Sequence, residues 1–235
     1  MVVAIVTGAS RGIGRAIALQ LADDGMDVAV NDIQAQAQEL EAVKAEVEAK
    51  GGKNLSGGDA TPGNVKIVLH CLLPNAHGNP AQAEDRSVFL PITDLEIPAA
   101  KQMIKQGKGG KILGACSTAG FKATGNAGAY STSKWAVRGL TQLAAGEFAP
   151  YDINVNAYAP GPVDTPMWKA IGASLSQRHG IDPEVAFQKS VEARAVLKRS
   201  QTPEDIANLV SFLASPKARN ITGQTVLCDG GINFS

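Results

Sequence analysis

The sequence predicts an α/β fold, a single doubly wound parallel sheet, on three observations. Short β-branched runs alternate with four-residue apolar periodicity through residues 2–51. Glycines cluster at the first strand-to-helix junction, in TGASRGIG. Further strand-like segments recur between helix-like ones to the C-terminal end.

Val2 to Val6 is the first β-branched run, and from Gly12 the residues Ile13, Ile17 and Leu21 recur at four-residue spacing, which is helical. Met26 to Val30 reads as a second buried strand. Leu40, Val43 and Val47 mark a second amphipathic helix that stops before Gly51 and Gly52. A βαβα order implies parallel pairing. Further on, Lys111 to Cys116, Ile153 to Tyr158 and Thr225 to Leu227 read as strands, and 128–148, 183–196 and 203–214 as helices. Thr202-Pro203-Glu204-Asp205 has a capping hydroxyl, a first-turn proline and acids at the positive helix end. No repeat, low-complexity tract or linker divides the chain. Residues 1–235 are therefore expected to form one domain, with a substrate-loop segment at about 161–200.

A chain of 235 residues can build one large core. Lys plus Arg and Asp plus Glu are balanced at 22 each, which offers no basic field for nucleic acid. The expected partner is a small molecule or another copy of the chain. MVVAIVTGAS is too short an apolar run for a signal peptide or membrane span. Cys71, Cys116 and Cys228 lie far apart, which fits a reducing cytoplasm. His70, His77 and His179 show no ligand spacing, so no metal is expected. Cys116 reads as a small buried hydrophobe rather than a reactive thiol.

In TGASRGIG the spacing is Gly8, Gly12, Gly14, where glycines permit a tight turn and let backbone N–H groups approach a pyrophosphate. This TGxxxGxG pattern resembles the short-chain dehydrogenase/reductase family, of Rossmann type. The resemblance implies a nicotinamide dinucleotide held by Gly8, Ser10, Arg11, Gly12, Ile13 and Gly14. Asp32 follows the second strand, where a carboxylate can accept both ribose hydroxyls and repel a 2′-phosphate, which favours NAD. Arg11 could pair with such a phosphate, so NADP stays open. A solvated loop acid or a helix cap is the alternative for Asp32.

In AYSTSKWA, Tyr130 and Lys134 are one helical turn apart, which alone distinguishes no catalytic pair from a wet helix face. Ser117, ending the strand KILGAC, precedes Tyr130 by thirteen positions, as the family pattern requires. The resemblance implies Tyr130 as acid/base, Lys134 on the nicotinamide ribose and Ser117 on the substrate oxygen. A free tyrosine has a pKa of ~10, so the reverse reaction near neutrality needs a stabilised phenolate. Lys134 and the positive nicotinamide favour that form; a three-unit shift corresponds to about 4 kcal/mol.

NVNAYAPGPVDTPMW matches the family loop in which Pro160 and Gly161 turn and Val163 and Thr165 contact the nicotinamide amide. The resemblance covers residues 2 to about 53 and 99–235, and is finest to the acetoin reductase/butanediol dehydrogenase subgroup, in GACSTAG, YSTSKWAVRGLTQ and TPMW. It implies a small ketone or alcohol substrate such as acetoin, diacetyl or butane-2,3-diol, with Met167 and Trp168 shaping the pocket. Ordinary core packing is their alternative. It also implies a homotetramer or homodimer.

Residues 54–98 depart from the pattern. LPNAHG keeps Asn75 where the family has Asn-Asn-Ala-Gly, and SVFLPITDLEIPAAKQM lacks the family's helix asparagine and holds Pro91 and Pro98. The family order 3-2-1-4-5-6-7 asks the chain to travel ~14 Å sideways and ~17 Å back between strands three and four, or about 22 Å. From Asp59 to Val65 an extended chain spans at most about 21 Å. KNLSGGDA is a poor strand and VKIVLHCLL a good central one. Residues 65–73 are expected beside strand one, with the third strand absent, shortened or displaced. Asp59 and Asn75 are assigned to the adenine side of the cofactor. Two other readings stay open: a reductase of a bulkier ketone, and a catalytically impaired dinucleotide-binding protein.

Overall fold

The computed structural model describes residues 2–51, 65–70, 90–123, 127–169, 180 and 182–234, with the backbone alone at 65–70 and 90–97. Six parallel strands form one sheet: β1 (Val3–Thr7), β2 (Asp27–Asn31), β3 (Val65–His70), β4 (Gly110–Ala115), β5 (Ile153–Pro160) and β6 (Thr225–Cys228). Their order is β2-β1-β3-β4-β5-β6. The main helices are α1 (Gly12–Asp23), α2 (Ala37–Ala49), α3 (Leu90–Gln106), α4 (Gly128–Phe148), α5 (Pro183–Arg194) and α6 (Pro203–Ala214).

The two-residue period of a strand sends alternate side chains to opposite faces. Ala4 and Val6 of β1 and Leu113 of β4 join the core under α1, α2 and α6. Val3 and Ile112 join Met103 of α3 and Ala145 of α4 on the other face. Both faces being covered explains why these strands read as unbroken apolar runs. Among the described residues no helix is long and apolar enough to cross a membrane.

The expected placement of residues 65–70 holds: β3 pairs with β1 through Ile67, Val68 and Leu69, and with β4 on its other side. Among the described residues the sheet ends at β2. KNLSGGDA lies outside the described residues. Pro98 sits within α3 on an exposed position. The reading of 202–205 is also met: Thr202 and Asp205 form a reciprocal capping box at the start of α6.

Candidate active site

All six strands run parallel, so the loops following β1, β2, β4 and β5 gather at one edge of the sheet. The chain order reverses between β1 and β3, which opens a crevice at their carboxyl ends.

The glycine turn after β1 is held by two left-handed residues, Gly8 at φ 64° and Gly12 at φ 55°. Gly14 serves close approach: a Cβ there would lie 2.0 Å from the Gly8 carbonyl oxygen. α1 begins with no side-chain cap and no acid in its first turn. Its first N–H groups and positive dipole end therefore suit an anion. Ser10 is buried, and its hydroxyl has no hydrogen-bond partner. Asp32 is oriented by two backbone donors, Ser10 N at 3.0 Å and Ile33 N at 2.8 Å. Arg11 is exposed beside this turn, and Ile13 packs on the core beneath it. A tight glycine cradle, an uncapped helix start and an orphaned buried hydroxyl fit the phosphates of a dinucleotide.

Ser117 stands just past β4 and caps the short turn Thr118–Gly120 by accepting Ala119 N at 3.2 Å. That turn presses on α4 because residue 120 is glycine. A Cβ on Gly120 would lie 2.6 Å from Cys116 Sγ and 2.8 Å from the Lys134 carbonyl oxygen. The approach sets Ser117 beside Tyr130, where its hydroxyl acts to lower the pKa of the phenol. Lys134 is buried, donates from Nζ to the Ala115 carbonyl at 2.9 Å, and lies 5.3 Å from the Tyr130 ring centre. The three side chains meet in one place.

The largest effect on the Tyr130 phenol is burial. Burial pushes the phenol above the ordinary tyrosine value, the Ser117 hydrogen bond pulls it down, and Cys116 adds a smaller upward push. Loss of hydration outweighs stabilisation of the phenolate by neighbouring groups. Cys116 behaves as the buried small residue expected: its thiol points at the Lys134 carbonyl at 3.3 Å, and burial pushes its pKa up.

The loop after β5 closes the other side. Pro160 and Gly161 turn, Val163 and Thr165 are buried, and the Thr165 hydroxyl donates to the Val163 carbonyl at 3.2 Å. Thr165 Cγ2 would sit 3.4 Å from a Cβ on Gly12, so this loop rests on the glycine turn. Gln201 holds the loop from behind: its Oε1 accepts Gly161 N at 2.9 Å, and its Nε2 donates to the Cys228 carbonyl. Met167 and Trp168 are half-buried. The Trp168 ring lies 5.5 Å from Phe187 of α5, with the Arg194 guanidinium 5.9 Å from its centre. Trp168 therefore docks α5, the packing role left open for it.

Sequence reasoning passed over Gly120 and Gln201. GACSTAG contains the glycine, but nothing local signals its approach to α4; Gln201 has no signal beyond its place before the Thr202 cap. Asp59 and Asn75 lie outside the described residues, as do Cys71, His77 and His179. Among the described residues no group of three His, Cys, Asp or Glu could hold a metal ion. An open groove lined by Ile104, Lys108, Tyr151 and Asp152 lies at the amino ends of β4 and β5, away from Ser117.

Comparison with known proteins agrees with this geometry. The short chain dehydrogenase family model matches residues 2–60, and one described as enoyl-(acyl carrier protein) reductase matches 95–233. The unmatched stretch between them falls within the segment that departs from the pattern. A short-chain dehydrogenase/reductase of Armillaria gallica is 43% identical over 258 residues, covering 99% of this chain and 96% of the relative. That aligned span exceeds the 235 residues here, so the relative carries residues this chain lacks. The L-2,3-butanediol dehydrogenase of Corynebacterium glutamicum is 38% identical, with 99% of each chain covered. The acetoin dehydrogenase structure from Salmonella typhimurium superposes with a TM-score of 0.77 at 26% identity, covering 99% of this chain and 97% of that one.

Proposed function

Because this chain belongs to the short-chain dehydrogenase/reductase family, an oxidoreductase family acting on alcohols and ketones with a nicotinamide cofactor, we propose that it interconverts a small secondary alcohol or vicinal diol and its ketone, of the acetoin, diacetyl and butane-2,3-diol type. The observation that carries the reading is the convergence of Ser117, Tyr130 and the buried Lys134, whose ammonium lies 5.3 Å from the phenol ring, at the same sheet edge as the glycine turn.

In this reading the glycine turn and the start of α1 hold the pyrophosphate, with Ser10 supplying its orphaned hydroxyl. Asp32 accepts the adenosine ribose hydroxyls and favours NAD, and Lys134 the nicotinamide ribose. Val163 and Thr165 face the carboxamide, with Pro160 and Gly161 setting the turn. The bound dinucleotide supplies or accepts the hydride. Ser117 donates to the substrate oxygen, and Tyr130 delivers a proton to the alkoxide that forms there. A phenol held protonated by burial is matched to reduction at neutral pH; oxidation of the alcohol requires the phenolate. Met167 is assigned to the substrate pocket, and Trp168 acts on it by docking α5.

Self-association belongs to the same reading, as a homotetramer or homodimer in the cytoplasm. α4 leaves Trp135 and Leu143 exposed, with Gly139 and Gly146 facing open space, which suits close packing against a second copy. Following NADH and NADPH absorbance against acetoin, diacetyl and a series of longer ketones tests the substrate assignment. Turnover that peaks at four-carbon substrates supports it; a preference rising with chain length transfers it to a bulkier ketone. Tight NADH binding with no turnover on any of them leaves a dinucleotide-binding protein.

A further inference from the structure

We propose that Gln201 is a positioning residue for the nicotinamide end of the cofactor, acting through the loop Gly161–Thr165; the inference rests on the reading of that loop given above. Gln201 is buried at 7% exposure, and each face of its amide has a partner of the opposite kind. Oε1 accepts Gly161 N at 2.9 Å, while Nε2 donates to the Cys228 carbonyl and lies 3.4 Å from its sulfur. A donor on one side and a carbonyl on the other admit only one orientation of the amide. The backbone of Gln201 also binds the loop, since its carbonyl accepts Asp164 N at 3.0 Å and it bridges Val163 in parallel.

The position is fixed from outside. Thr202, the next residue, caps α6 through the reciprocal bond with Asp205, so Gln201 reaches inward from an anchored helix start. Gly161 has no room for anything else: a Cβ would lie 2.9 Å from Gln201 Oε1, 3.0 Å from Ile232 Cδ1 and 3.2 Å from Asp229 Cβ. The loop so held carries Thr165 onto Gly12, closing the contact between the two cofactor-facing segments. Gln201 thus ties the end of β6, the start of α6 and the loop after β5 into one unit.

Two variants separate this role from simple packing. Gln201→Met keeps the volume and removes both bonds. Gln201→Glu keeps the acceptor for Gly161, but once ionised sets a carboxylate against the Cys228 carbonyl; protonated, it regains a donor and imitates the amide. Burial beside a carbonyl raises the pKa of that acid, which brings its titration into an accessible range. The experiment measures Kd for NADH and for ADP-ribose, which lacks the nicotinamide, on the full-length wild type and both variants from pH 5 to 8.5, with thermal melting at each pH.

The expected result is about tenfold weaker NADH binding by Gln201→Met, with ADP-ribose binding within twofold of wild type. Gln201→Glu should bind NADH like wild type at low pH and lose about tenfold as pH rises, a step absent from the wild type. Equal losses for NADH and ADP-ribose, or NADH affinity unchanged in both variants, would overturn the proposal. A variant that melts below the assay temperature is assayed in the cold, and the ratio of the two ligands still decides. Wild-type protein that binds neither ligand refutes the cofactor reading itself.

Discussion

The Lys134 ammonium lies 5.3 Å from the centre of the Tyr130 ring and is pinned to the Ala115 carbonyl at 2.9 Å. That bond ties α4 to the end of β4, and the same ammonium packs over the phenol ring. Ser117 lies two residues past that carbonyl, and its hydroxyl acts to lower the pKa of the Tyr130 phenol. Strand end and helix face are therefore registered by residues to which the proposed chemistry is assigned.

Removing the phenolic oxygen should stop proton transfer while leaving the cofactor cradle intact. Tyr130→Phe is expected to lower kcat by about 10²–10⁴-fold with NADH affinity within about twofold of wild type. Lys134→Met should lower kcat comparably and also weaken NADH. Stopped-flow turnover and NADH titration check both; Tyr130→Phe protein with wild-type kcat would remove Tyr130 from the reaction.

The sign of the pH dependence follows from the environment of the phenol. Burial holds its pKa above the usual tyrosine range, so the protonated form that reduction needs is present at neutral pH and is lost only at high pH. Oxidation needs the phenolate, whose fraction rises tenfold per pH unit below that pKa. The Ser117 hydrogen bond lowers the pKa, so Ser117→Ala should move the oxidation profile to higher pH. Profiles of kcat for both directions, in both proteins, supply the check; a shift to lower pH contradicts the assignment.

Two close approaches should yield two different kinetic signatures. A Cβ on Gly14 would lie 2.0 Å from the backbone of Gly8, inside the cofactor cradle. Gly14→Ala should raise the KM for NADH at least tenfold and destabilise the protein by about 1–3 kcal/mol. A Cβ on Gly120 would meet the Lys134 carbonyl at 2.8 Å and push α4 away from Ser117. Gly120→Ala should therefore lower kcat with NADH KM little changed. If both variants lose kcat and KM in the same proportion, the two approaches do not act separately.

Elements whose sides are both buried were legible from residue type alone. β1 carries the apolar run VAIV and β4 the run ILGA because both faces of the sheet are covered, and α6 announces its start through Thr202 and Asp205, three residues apart. The meeting of Ser117 and Tyr130 was legible because their spacing matches a known pattern. Gln201 was not, since its partner Gly161 is 40 residues away and an amide in sequence shows neither burial nor direction. Gly120 was hidden for the same reason: the atom it makes room for belongs to another element. The upward push on the Tyr130 phenol was not legible, because the loss of hydration depends on everything packed around the ring.

In the proposed function Asp32 governs the choice of nucleotide, and that role can be separated from its hold on the glycine turn. Both carboxylate oxygens accept backbone donors, Ser10 N and Ile33 N, so the group is fixed at the end of β2 with lone pairs still available to ribose hydroxyls. Its negative charge opposes a 2′-phosphate there, while exposed Arg11 lies on the adjacent turn. Asp32→Ser removes the charge and should raise the ratio of kcat/KM for NADPH over NADH at least tenfold. Adding Arg11→Ala should reverse most of that gain, because the cation that receives the phosphate is then missing. A wild-type enzyme that already prefers NADPH, or a ratio unmoved by Asp32→Ser, would assign Asp32 to holding the glycine turn alone.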